Sequence, residues 1–125
     1  MTGRPTDIIA AMLDLLALFA VRCEDKHTLR KLIALAEDRS RWTEARSLFS
    51  EVRQKTLAAE RRKDELALAQ YAFEEICAKT LYNLTHGAAP YDPDSPFWIL
   101  PLAVELARQL GVTDPGEISP LLRTG

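Results

Sequence analysis

The stretch LALAQYAFEEICAKTLYNLTHG, residues 66–87, decides the fold. Leu66, Ala69, Phe73, Ile76, Cys77, Thr80, Leu81 and Leu84 recur at steps of three and four, which places them on one face of an α-helix. The stretch closes on His86-Gly87, where glycine suits a left-handed C-cap and histidine suits the negative end of the helix dipole. The spacing therefore predicts a fourth helix ending at His86-Gly87.

The same period extends toward the N-terminus. Ala59–Glu65 is mostly charged and is expected to hold a turn, with an uninterrupted helix as the alternative. Ahead of it, Ser40 offers a cap for a third helix carrying Trp42, Ala45, Phe49, Val52, Thr56 and Ala59. Arg39, Arg46 and Arg53 recur every seven residues and are expected along one stripe of that helix. Asp25 or Thr28 opens a shorter second helix with Leu29, Leu32, Ile33 and Ala36. Thr6 is placed to cap a first helix running to about Arg22.

That first helix is apolar from Ile8 to Val21 apart from Asp14, so it is expected to be buried nearly all round, centrally or in a homodimer seam. It is too short for a membrane span, which needs about 20 residues. Asp7 and Asp14 interrupt any secretory signal, and Arg22 before Cys23 spoils a small-residue cleavage site, so a cytoplasmic protein is expected.

Toward the C-terminus, residues 88–96 hold three prolines at three-residue spacing and read as a crossover. Ser95-Pro96 starts a fifth helix through Phe97, Trp98, Ile99, Leu102, Val104, Leu106 and Leu110 to a stop at Gly111, with a kink expected at Pro101. Thr113 or Asp114 with Pro115 signals a last short helix. Period-two alternation is almost absent. Residues 1–125 thus read as one all-α domain, a bundle of about five helices with a short C-terminal one.

Charge and chemistry narrow the function. With 16 basic and 18 acidic side chains, the net charge of -2 argues against a dedicated nucleic-acid binder. Cys23 and Cys77 are too few for a disulfide scaffold and are expected as buried free thiols. Glu24 and His27 have the spacing of half a bundle metal motif, but Asn83 stands where the Glu before His86 belongs. Asp92 and Asp94 open like a calcium loop, yet its glycine and terminal Glu do not follow. No metal and no cofactor are expected. Glu74, Glu75 and Glu105 are read as solvated surface charge.

Arg22-Cys23-Glu24-Asp25-Lys26-His27 has the form Arg-x4-His and resembles the motif of the HEPN superfamily of small all-helical domains, many of them RNases. That resemblance implies metal-independent cleavage in which Arg22 holds the phosphate and His27 moves protons. The family commonly carries a polar residue after the Arg, where this chain has Cys23, and sets the motif later in its bundle.

The segment Tyr91–Trp98 gathers three aromatics, two aspartates and rigid prolines. Proline-fixed loops lose little entropy on binding, and Tyr and Trp dominate interface hot spots. Tyr91, Asp92, Asp94 and Trp98 are therefore the expected partner-binding residues, although Phe97 and Trp98 also suit a role anchoring the fifth helix in the core. The function expected first is a non-enzymatic protein-interaction module, such as an inhibitor, immunity-type protein or adaptor. An RNase using Arg22 and His27, and a self-associating structural protein, are the alternatives.

Overall fold

The three-and-four spacing becomes five α-helices among the residues described, 5–85 and 99–112 of a computed structural model. They are α1 (Pro5–Arg22), α2 (His27–Glu37), α3 (Ala45–Arg62), α4 (Glu65–Thr85) and α5 (Ile99–Gln109), with a 3-10 segment at Arg39–Glu44. The architecture is an all-α bundle. Its centre is α4, which packs most extensively on α3, next on α5, and more lightly on α2 and the 3-10 segment. The α1 helix packs chiefly on α2 and touches α5. Phe19 and Phe73 are fully buried and meet edge to face, with ring centroids 5.0 Å apart and planes at 76°. Met12, Leu15, Leu16, Leu29, Leu32, Val52, Leu81 and Leu106 close the core around them.

Helix ends follow their local chemistry. Lys63 takes the left-handed conformation (φ 57°), and the Asp64 N–H reaches back to the Ala59 carbonyl at 3.0 Å, closing α3 with a Schellman turn. Asp64 then caps α4 by accepting from the Ala67 N–H at 3.1 Å. The charged run at 59–65 thus breaks the helix. Gly111 (φ 85°) ends α5 in the same manner, with the Val112 N–H on the Ala107 carbonyl at 2.8 Å.

Four expectations need correction. Thr6 lies inside α1, not ahead of it. Ser40 does not cap α3: Asp38 accepts from the Ser40 N–H at 3.1 Å and starts the 3-10 segment, while α3 begins at Ala45. Arg39 consequently leaves the stripe of Arg46 and Arg53, and its guanidinium lies over the Trp42 ring, 5.6 Å from the centroid. Central burial of α1 does not hold, because Ala10, Asp14, Ala17 and Val21 face outward along one stripe in the single chain. Pro101 lies within α5 as described, and the residues ahead of Ile99 lie outside the described ones.

Candidate functional site

The densest polar arrangement among the described residues surrounds the linker between α1 and α2. Only four residues, Cys23 to Lys26, reverse the chain there, and each end is tied down. Lys26 Nζ donates to the carbonyls of Cys23, Ala20 and Val21 at 2.6, 2.7 and 3.3 Å. A cation on the last carbonyls satisfies groups that the helix leaves open and complements its dipole. Asp25 Oδ1 accepts from the His27 N–H at 3.2 Å at the start of α2.

Beneath the linker, side chains of α3 and α4 converge on Asp25. Its Oδ2 accepts from Tyr71 Oη at 2.5 Å and from Lys55 Nζ at 2.9 Å. The Lys55 ammonium also lies 5.7 Å from the Tyr71 ring centroid. Partial burial works to raise the Asp25 carboxyl, but the bonds from Tyr71, Lys55 and the His27 N–H outweigh it and hold the group below the usual carboxylate range. Burial and the Asp25 carboxylate together push the Tyr71 phenol well up, so it stays a proton donor.

Gln70 links this cluster to the core. Its Nε2 donates to the Asp25 backbone carbonyl at 2.8 Å and to Glu74 Oε2 at 2.7 Å. Glu74 is fully buried, which corrects its reading as surface charge. Its Oε1 and the Thr28 hydroxyl on α2 are both buried without a hydrogen bond of ordinary geometry. Burial pushes the Glu74 carboxyl up to about 7, against the opposing pull of the nearby Thr28 hydroxyl and Gln70 amide. Glu75, by contrast, is fixed to α3 by Arg53 at 3.3 Å and Thr56 at 3.0 Å. Cys23 and Cys77 are buried free thiols. Burial, with Glu74 adding to it, raises Cys23 to about 11 and holds Cys77 well above its ordinary value, so neither is poised as a nucleophile.

On the solvent side, the linker and α2 frame an open depression of about 550 Å³, lined by Glu24, Asp25, Lys26, His27, Arg30, Lys31 and Ala34. His27 is exposed, with Nε2 at 3.5 Å from Glu51, and Lys31 meets the same carboxylate at 2.9 Å. Arg22 is exposed at the end of α1 and is not among the residues lining the depression that holds His27. Tyr91, Asp92, Asp94 and Trp98 lie outside the described residues, as do the 88–96 crossover, His86-Gly87 and the segment beyond Val112. Among the described residues, no three His, Cys, Asp or Glu side chains are grouped as metal ligands would be, and no helix is long and apolar enough to cross a membrane.

Asp25, Lys55, Gln70, Tyr71 and Thr28 were not singled out as a site by sequence, because three helices and the α1–α2 linker bring them together. Glu74 carried a signal. Gln70, Glu74, Cys77 and Leu81 follow steps of four, three and four, so a carboxylate stands on the inward stripe of α4. Comparison with protein-family models, curated proteins and solved structures finds no match to this chain.

Proposed function

We propose that this chain is a non-enzymatic helical module that binds another protein through the linker-and-α2 depression. The observation that carries this reading is the way the linker is held: Lys26 on three carbonyls, Asp25 on three donors, and Gln70 on the Asp25 carbonyl. A surface fixed before contact loses little conformational entropy on binding. The depression is open and edged by exposed Glu24, His27, Arg30 and Lys31. An open depression of this kind suits a protein interface better than the enclosed cleft of a small-molecule site. Tyr91, Asp92, Asp94 and Trp98 are proposed as a second contact on the chemistry of their side chains.

The test is co-purification of the intact protein beside two equally stable variants, Arg30→Glu with Lys31→Glu, and Tyr91→Ala with Asp92→Ala and Asp94→Ala. A stoichiometric protein companion lost with the first variant supports the depression as a contact, and loss with the second supports the Tyr91 segment. A companion kept by both variants, or none at all, contradicts the proposal. RNA cleavage abolished by His27→Ala would replace it with the nuclease reading.

A further inference from the structure

The exposed face of α2 is charged at both ends and small in the middle. Arg30, Ala34 and Glu37 follow steps of four and three, with His27 and Lys31 beside them, and all five are exposed. The basic side chains occupy the first half of the helix, and Glu37 is its last residue. That order runs against the helix dipole, which favours anions at the N-terminal end and cations at the C-terminal end. No acidic residue in the first turn and no basic residue in the last one offsets it.

Within one chain these charges are only partly answered. Lys31 and His27 both lean on Glu51 of α3, at 2.9 and 3.5 Å, and Asp38 is taken up by Ser40. Arg30 and Glu37 have neither an ion pair nor a side-chain hydrogen bond among the described residues. Two helical turns, about 10 Å, separate them, too far for them to pair with each other. The stripe is instead complementary to itself turned end for end. A two-fold axis beside Ala34 sets Arg30 of each copy level with Glu37 of the partner subunit. Antiparallel pairing also lays the basic half of each helix along the negative end of the other dipole. Ala34, between the two charges, adds no bulk that would hold two helix backbones apart.

We propose that the exposed face of α2 pairs antiparallel with the same face of a second copy of this chain, through two Arg30–Glu37 ion pairs flanking Ala34. The inference rests on the reading of this surface as a protein contact, and it names the partner there as the chain itself. One helix of 11 residues from each copy makes a small contact, so the dimer is weak and salt-sensitive.

Sedimentation equilibrium of the purified full chain over a range of concentrations, in low and high salt, tests it beside Arg30→Glu and Glu37→Arg. The wild type is expected to dimerise reversibly and to dissociate in high salt. Each variant alone sets like charges against each other and should raise the dimer Kd at least about tenfold. An equimolar mixture of the two variants restores both ion pairs and should associate within about threefold of the wild type. Both positions are exposed, and circular dichroism checks that each variant keeps its helices. A monomeric wild type overturns the second copy as partner, and leaves the contact reading standing if a different protein co-purifies. A dimer that both single variants keep, or a mixture that fails to associate, overturns the pairing.

Discussion

Asp25 and Glu74 are joined through one glutamine, yet their surroundings drive them in opposite directions. Asp25 is held as an anion by Tyr71, Lys55 and the His27 N–H, so its lowered folded-state value adds stability that is lost as pH falls through that value. Glu74 is raised from its ordinary 4.5 to about 7, so the folded chain binds its proton more tightly than the unfolded chain does. Its contribution is complete below about 4.5 and lost as pH rises through about 7. A difference of that size corresponds to roughly 3 kcal/mol. Unfolding midpoints are therefore expected to be highest in mildly acidic buffer and to decline toward pH 8. Glu74→Gln should flatten that decline and be the more stable protein at pH 8.5; a parallel decline in both, followed by thermal unfolding, would count against the assignment. The residue scale is also where sequence reading was weakest. The side-chain partners of Asp25 lie 30 to 46 positions away, a separation no local pattern encodes. Glutamate's usual exposure pointed away from position 74 even though its register pointed inward.

At the scale of elements, local chemistry was far easier to read. Apolar spacing located every described helix, and the turn at 59–65 and the Gly111 stop follow from charge and glycine. The start of α3 was misread because two caps compete within a few residues. Asp38 and Ser40 are both good starters; the aspartate prevails, and its turn is a 3-10 segment that delays α3 to Ala45. The α3–α4 junction yields a direct prediction, because Lys63 occupies a left-handed position that favours glycine. Lys63→Gly is expected to raise stability by about 0.5–1 kcal/mol, by removing the strain of a side chain in that conformation. Chemical denaturation with an unchanged m-value would register the gain, and a loss of stability would mean that the turn is held by something other than its backbone.

For the whole molecule, a central α4 packs on α3 and α5, and α2 joins it to α1, α3 and the 3-10 segment. The α1–α2 corner carries the exposed charge and the tied linker, and α4 carries the buried carboxyl of Glu74 beneath them. The all-α architecture was legible from composition and period. The depression was not, because it exists only once α2 has folded back against the end of α1. The most direct measurement is site-specific photo-cross-linking in native extract, with the reactive group placed at Arg30 in the depression or at Asp14 on the outward stripe of α1. The account predicts one partner protein captured from position 30 at close to one-to-one stoichiometry, and not from position 14. Capture of the same proteins from both positions, or of none from position 30, would contradict it.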